Sequence, residues 1–431
     1  MIKQLFTQTL FLIRKQPLLS ALSIAGTALA ICLIMLLVMF RQVRLVPYAP
    51  ESNKDRMLYV PYVSITHKDH PEYSSNGPLG PQTATECFGK LQTPEAVTIY
   101  IMPVSMVATG PGNRSANVAV KQTDATFFKV FDFRFLSGSP YNEEEAASGV
   151  AKAVITRTTA RKLFGEENVV GRNLEINYQT FGVAAVVEDV SALADAASAE
   201  IWVPYNCMDY VRNGLGKTDL RGYMQVAILA HSAADFPAIR QEVDRLVEIY
   251  NASVAPQVVF FRGQPDTKAV AILRKYANLE PDVNEARRNQ WMIYLILLLV
   301  PAINLSAMTH SRLQQRVEEI GIRRAFGSTR KDLFLHVLVE NLMLTLLGGG
   351  IGLLLCVAVS FFWGAFLFTN TVISYSAIPI LIDPMVLFHF STFGWALLFC
   401  LLMNLFTAGY PAWKASRTQI VNALSGKTEN M

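Results

Sequence analysis

Charge is scarce in this chain. Only 17% of its 431 residues are Asp, Glu, Lys or Arg, where a soluble protein of this length carries about a quarter. The deficit falls in four places. Leu18–Phe40 holds no charged residue over 23 positions, Trp291–Met308 none over 18, and Asn341–Ile382 none over 42. Pro384–Trp413 carries only His389. A helix crossing the hydrocarbon core of a bilayer needs about 20 apolar residues, so each run can span once. The 42-residue run is read as one long helix followed by a loop, because Gly348–Gly350, Gly364 and the polar 369–376 stretch interrupt it. The first run is too long for a signal-peptide core of roughly 7–15 residues, and no small-x-small cleavage pattern follows in 41–50.

Signatures of catalysis are missing as well. HExxH, GxSxG, paired CxxC and GxGxxG are all absent. The six histidines are scattered, and His67 and His70 lack a third metal ligand nearby. Gly426-Lys427-Thr428 resembles the end of a phosphate loop, but that loop needs another Gly at 421, where Val stands. These absences exclude zinc-protease, hydrolase, dithiol-redox and P-loop nucleotide chemistry by the usual motifs. No catalytic, metal-binding or cofactor residue is assigned. Of five cysteines, Cys32, Cys356 and Cys400 lie in apolar runs. Cys87 and Cys207 lie elsewhere, and spacing alone leaves their pairing open.

What basic charge there is has a side. Lys3, Arg14 and Lys15 precede the first run with no acid among them. Arg312, Arg316, Arg323, Arg324, Arg330 and Lys331 separate the second and third, and Lys414, Arg417 and Lys427 follow the fourth. The 369–383 connection has no Lys or Arg. Basic loops stay on the cytoplasmic side, so both termini and the 309–332 loop are expected inside, with 41–290 and 369–383 outside. Residues 41–290 carry 26 basic and 28 acidic residues, so the formal +4 of the chain sits on the cytoplasmic face, toward anionic lipid. Nothing in the pattern points to nucleic acid.

In chain order, Leu5, Phe6, Leu10 and Ile13 fall at helical spacing, which suits either an interfacial amphipathic helix or a plain basic flank. In the first run Ala21, Ala25 and Ala28, with Gly26 and Ala30, suit close helix packing or lipid-facing alanine equally. Residues 41–290 alternate short strand-like runs (57–63, 96–102, 117–120, 153–155, 174–178, 181–187, 224–229, 258–261) with helical patterns at 123–130, 158–164 and 236–250. Turn signals stand at 74–81 and 108–113. The expectation is an α+β domain with mixed or antiparallel sheets. The polar 282–290 stretch reads as a stalk continuous with the second span. Glu340 lies where the third span begins, placed either as a costly buried carboxylate or at headgroup level.

Between the second and third runs, Leu313, Val317, Ile320, Ile322 and Phe326 alternate with charges at helical spacing. Gly327 ends that pattern, and Thr329-Arg-Lys-Asp332 has the form of a capping box that starts the next helix. Composition alone makes this a positive-inside loop. The direct passage from short helix to span makes it also a device that passes movement without slack.

These residues carry a resemblance. Glu319-Ile-Gly-Ile-Arg-Arg-Ala-Phe-Gly327 followed by Glu340-Asn-Leu-Met-Leu-Thr-Leu-Leu-Gly-Gly resembles the EIGIRRAxGA…ESLLLxLxGG signature of the FtsX/MacB family of ABC-transporter permeases. Two outer segments resemble that family's periplasmic core domain: Thr123-Asp-Ala-Thr-Phe-Phe-Lys-Val-Phe131 with Gly138, and Ala153-Val-Ile…Ala160-Arg-Lys-Leu-Phe-Gly165…Val170-Gly-Arg…Phe181. Pro411-Ala-Trp-Lys-Ala-Ser-Arg417…Asn422-Ala-Leu resembles its PAxRASRxxPxxAL tail. Phe326 replaces the usual Leu, Ser328 the usual Ala, and Gln419-Ile420 the common Asp-Pro, and the outer-domain sequence up to about Asn117 shows no match to the family's pattern.

The resemblance implies a four-helix transmembrane permease with a large α+β extracytoplasmic domain inserted between the first and second transmembrane helices. Its parts are an amphipathic N-terminal helix (1–17), spans at 18–40, 291–309, 333–368 and 384–410, and the MacB-like core with stalk ends (41–290). A cytoplasmic coupling helix (310–332), a short periplasmic loop (369–383) and a cytoplasmic tail (411–431) complete it. Glu319, Ile320, Gly321, Arg323, Arg324, Phe326 and Gly327 are its expected ATPase-coupling residues, and Glu340, Gly348, Gly349 and Gly352 its transmembrane packing residues. Implied partners are a separate cytoplasmic ABC ATPase, a second permease copy or paralogue, membrane lipid and, for export, a periplasmic adaptor and outer-membrane channel. The chain itself is then not an enzyme: it conducts ATP-driven motion in the inner membrane, exporting periplasmic cargo. Alternatives are an FtsX-like regulator of a cell-wall hydrolase, a lipoprotein-release permease, and a membrane-anchored receptor without an ATPase.

Overall fold

A computed structural model describes residues 17–208, 220–315, 322, 326–327 and 329–369, with a few positions between 394 and 409. The expected N-terminal amphipathic helix, the 369–383 loop beyond its first residue, most of the fourth span and the tail lie outside the described residues. The described chain divides into two compact units, one built from 43–284 and 365–386, the other from 1–42, 285–364 and 387–431.

The first unit is α+β. In chain order its strands are β1 (Met57–Val60), β2 (Val63–His67), β3 (His70–Gly77), β4 (Ala96–Thr109), β5 (Ser115–Thr123), β6 (Phe135–Gly138) and β7 (Lys152–Thr156). They continue with β8 (Asn173–Ile176), β9 (Gln179–Val187), β10 (Ile201–Pro204), β11 (Met224–Leu229), β12 (Gln257–Phe260) and β13 (Asp266–Thr267). A ten-stranded mixed sheet has the order β13-β1-β11-β4-β5-β10-β7-β9-β6, with β8 bridging β4 and β9. Its β5–β10 and β7–β9 pairs are parallel and the others antiparallel. A second sheet runs β12-β2-β3.

Strand periodicity sorts the large sheet into two cores. Leu58, Val60, Ile99, Ile101, Val118 and Val120 join one, together with residues of the helices Arg157–Phe164 and Phe236–Ser253. Met57, Tyr59, Tyr100 and Trp202 join the other, where Phe127, Phe131 and the alanine-rich 190–199 segment cover the sheet. Because both faces are covered, β5 is buried at every position from Val118 to Thr123.

Local signals set the elements. The helix Arg157–Phe164 starts where the Thr156 hydroxyl accepts the Thr159 amide at 3.2 Å and stops at Gly165, whose φ of 82° is a left-handed C-cap. The β8–β9 hairpin turns through Asn177 and Tyr178 at φ 47° and 68°, the positive pair of a type I′ turn.

Two sequence expectations are corrected. The first half of the 74–81 stretch, expected to be turn, is strand: β3 pairs with β2 from Gly77 back to His70. The helical pattern at 123–130 contracts to Phe127–Val130, because Thr123 ends β5 opposite Tyr100. Cys87 and Cys207 are both buried and both free, so no disulfide joins them.

The second unit is helical among the described residues. Three long helices reach it: α1 (Pro17–Leu45), α2 (Val283–Gln315) and α3 (Arg330–Thr369). Two described segments are long and apolar enough to cross a bilayer, Ser20–Met39 and Val337–Ser360. α2 runs from its polar start through Pro301 without a break.

Candidate functional site

In the helical unit, glycines bring α1 and α3 into backbone contact. A Cβ on Gly352 would lie 2.6 Å from the Ala28 carbonyl oxygen, and one on Gly348 would lie 2.8 Å from Thr27 Cβ and 3.1 Å from the Ile24 carbonyl. Neither distance is open to a side chain without separating the helices. Further along, the Ser360 hydroxyl donates to Met39 Sδ at 3.3 Å and to the Cys356 carbonyl at 2.7 Å. Contacts advance together, from Thr27 with Gly348 to Ala28 with Gly352 to Met39 with Ser360, so the two helices run in the same direction. Thr27, Ala28, Ile31, Met35 and Met39 are buried along α1, while Leu18, Leu22, Leu29 and Leu33 on its other side are exposed. A Cβ on Gly349 would lie 2.7 Å from Leu397 Cδ1 and 3.3 Å from Ile31 Cδ1 of α1. Glu340 is buried, beside Asn341, which donates to the Val337 carbonyl at 3.0 Å.

The start of α3 is capped. The Thr329 amide and hydroxyl donate to Asp332 Oδ2 at 3.1 and 2.6 Å, and the Asp332 amide donates back to the Thr329 hydroxyl at 3.2 Å. This is the reciprocal capping box. The Thr329 hydroxyl and amide hold the Asp332 carboxyl below its usual range. Two residues earlier Gly327 has φ 97°, a value disfavoured for residues with a Cβ, and the Phe326 amide donates to the Ile322 carbonyl at 3.0 Å. Phe326 is 87% exposed. Glu319, Ile320, Gly321, Arg323 and Arg324 lie outside the described residues.

Sequence reasoning missed a second constellation, in the α+β unit. Glu51, wholly buried, accepts the Ala196 and Ala197 amides at 2.8 and 3.2 Å. It pairs with Lys54 at 3.2 Å and Lys268 at 3.4 Å. Lys268 also makes a very short contact with Asp195, whose side chain is 46% exposed. Burial alone would pull Lys268 down, but the Asp195 and Glu51 carboxylates overcome it and hold the ammonium above its usual range. For Lys54 burial wins over Glu51, and its ammonium is lowered. Lys121, fully buried in the middle of β5, donates to the Ala196 carbonyl at 2.5 Å and lies 4.8 Å from the Tyr100 ring centroid. Burial lowers it to about 7, against the raising influence of Glu51 and Asp195. These residues come from five separated stretches of chain, and only a lysine inside an apolar strand pattern hinted at them.

Comparison with known proteins places both units. The model of the MacB-like periplasmic core domain matches residues 20–246, so the likeness includes the outer-domain sequence before Asn117 where no match was expected, and that of the FtsX-like permease C-terminal region matches 291–420. The macrolide export ATP-binding/permease protein MacB of Pasteurella multocida is 25% identical over 316 residues, which is 73% of this chain and 44% of that protein. An ABC transporter permease, YknZ of Bacillus subtilis, is 23% identical over 262 residues, 58% of this chain and 60% of the relative. The periplasmic region of MacB from Actinobacillus actinomycetemcomitans superposes with a TM-score of 0.33 at 16% identity, covering 46% of this chain and 88% of that one. The chain thus spans less than two thirds of the curated relatives it matches.

Proposed function

Because this chain belongs to the family of ABC-transporter permeases that joins a MacB-like periplasmic core to an FtsX-like permease region, we propose that it drives export from the periplasm by mechanotransmission. In this reading a separate cytoplasmic ATPase closes on ATP and pushes on the 310–332 segment through Glu319, Ile320, Gly321, Arg323, Arg324, Phe326 and Gly327. The movement passes along α3 to the periplasmic side, and the cargo need not cross the bilayer. Two permease copies, or this chain and a paralogue, form the working pair, with an adaptor and outer-membrane channel completing the export path. The named activity of the MacB relatives, macrolide export, supports the direction of transport.

The observation that carries the proposal is the junction at 327–332. A left-handed glycine and a closed capping box leave two residues between the preceding segment and a 40-residue helix. The parallel course of α1 and α3 supports a return crossing by α2 between them, since two spans that run the same way require the chain between them to cross back. The small-residue contacts of Gly348 and Gly352 with α1 support their role in packing.

The test is co-purification of the full chain with candidate ABC ATPases from its own organism, with and without Arg323→Glu plus Arg324→Glu. Association in the wild type and its loss in the double variant are expected. No ATPase bound to the wild type sinks the mechanotransmission reading. Crosslinks from the α+β unit then separate outcomes: an adaptor supports export, and a cell-wall hydrolase supports regulation.

A further inference from the structure

Below the 190–199 segment, the second face of the large sheet is not completely filled. A cavity of about 150 Å³ lies there, bounded by Tyr59, Tyr100, Gln225, Asp195 and Lys268, with Met102, Pro61 and Ile272 as its apolar wall. An apolar cavity of this volume in another protein holds one benzene ring, so the space suits a single-ring molecule.

Charge decides which kind. Of the nearby charges Asp195 and Lys268 line the cavity; behind them lie the buried Glu51 and Lys54, which pair with each other, and Lys121, which sits against the Tyr100 ring and the Ala196 carbonyl. With Lys121 protonated, two carboxylates against three ammonium groups leave the cluster with an excess of one cation, before Arg44 is counted. Arg44 also acts on Asp195, and the remaining titratable groups, Tyr48, Tyr59 and Tyr100, are neutral phenols whose ionisation burial opposes. Asp195 and Glu51 are committed to Lys268 and Lys54, whereas Lys121 makes no ion pair among the described residues. At the wall, the Tyr100 hydroxyl and the Gln225 amide make no hydrogen bond among the described residues. Both can donate. The site therefore offers spare donors, a net positive charge and an apolar wall, within a volume of one ring.

We propose that this cavity binds a small organic monocarboxylate, its carboxylate held by the Tyr100 hydroxyl and the Gln225 amide in the field of the lysine cluster and its apolar body against Met102, Pro61 and Ile272. The binding is independent of any ATPase and adds ligand recognition to the outer domain. It is also coupled to protons. A bound anion stabilises the charged form of Lys121, which without ligand loses its proton at about pH 7. Affinity is therefore high below that value and falls as pH rises through it.

The experiment is calorimetric titration of the full-length protein in detergent micelles with benzoate, hexanoate, benzamide and benzylamine. Benzoate or hexanoate is expected to bind once per chain, about 10-fold or more tighter than benzamide, with benzylamine weaker still. Going from about pH 6 to about pH 8.5, the affinity should drop roughly 10-fold. Tyr100→Phe, which removes one hydroxyl, should weaken binding by about 5- to 10-fold. Lys121→Met should weaken it about 10-fold and flatten the pH profile. Ala271→Phe, which fills the cavity, should abolish it and so separates binding here from partition into micelles. The proposal is overturned if neither carboxylate binds the wild type, if benzamide or benzylamine binds as tightly, or if Tyr100→Phe and Lys121→Met both leave the affinity unchanged.

Discussion

Lys121→Met is expected to stabilise the α+β unit at neutral pH, an unusual sign for a change at a fully buried position. In the folded chain the ammonium is lowered from the ordinary 10.5 to about 7 by burial. A difference of 3.5 units at 1.36 kcal/mol each sets a ceiling of about 5 kcal/mol on the cost of keeping Lys121 charged inside. Methionine of similar length removes that cost but leaves the Ala196 carbonyl without its donor, a loss of about 1–3 kcal/mol. The net gain is about 2–4 kcal/mol. Its pH dependence has a definite sign. Below about 7 both folded and unfolded states hold the proton, so the gain is full and constant. Between about 7 and 10.5 only the unfolded state holds it, wild-type stability rises with pH, and the advantage of methionine shrinks. Above that window the variant is the less stable protein. Hydrogen exchange of β5 and β10 in the full chain measures this, since about 2–4 kcal/mol slows globally opening amides by roughly 30- to 1,000-fold. A variant less stable at neutral pH, or a gain that does not change between about pH 7 and about pH 10.5, refutes the reasoning.

Three other changes have clear expectations. Arg274, buried, donates from Nε to Asp266 Oδ2 at 2.5 Å and from Nη2 to the Arg262 carbonyl at 2.8 Å, so Arg274→Met strands a buried carboxylate. It should cost about 3–5 kcal/mol, measured as earlier cleavage in limited proteolysis and a lower unfolding midpoint. Tyr178→Gly should stabilise by about 0.5–1 kcal/mol in denaturant unfolding, because Tyr178 is 97% exposed and holds φ 68° where glycine rests without strain. Gly352→Leu should force α1 from α3 and make the buried Cys32 and Cys356 reactive to a maleimide in membranes, with unchanged labelling counting against the contact.

Much of the α+β unit was legible because its signals are local. The strand runs at 96–102, 181–187 and 224–229 fall on strands, the run at 57–63 is divided between β1 and β2 at Pro61 and Tyr62, and the 236–250 pattern becomes the helix Phe236–Ser253. β3 escaped because its serines, Asn76 and Gly77 have turn chemistry, and its strand state comes from pairing with β2. Thr329 and Asp332 were readable as a cap, since a capping box is written within four residues. The charge cluster was not readable. Glu51, Lys121, Asp195 and Lys268 look like ordinary surface charges until the fold brings them together, and a Lys in a strand normally marks a solvent face. Nor could the sequence alone choose between packing and lipid for the small residues of α1. Ala28 takes the packed side only because Gly352 removes the atoms that would keep the helices apart.

That last pairing bears on how α3 can carry force. At 1.5 Å per residue its 40 residues extend about 60 Å, about twice the hydrocarbon core and further than the 29 residues of α1 or the 33 of α2. A helix transmits displacement only while it stays straight, and glycine weakens it by about 1 kcal/mol per residue. Gly348, Gly349, Gly350 and Gly352 therefore put the weakest turn of α3 in its middle. α1 packs against that same turn. Thr27, Ala28 and Ile31 lie so close to Gly348 and Gly352 that a Cβ at either glycine would clash with them. The feature that would let α3 bend is the feature that lets α1 brace it. Under the proposed mechanism a push arriving at the Thr329 cap would meet a supported rod, the glycines serving the stiffness of the pair at the expense of the single helix.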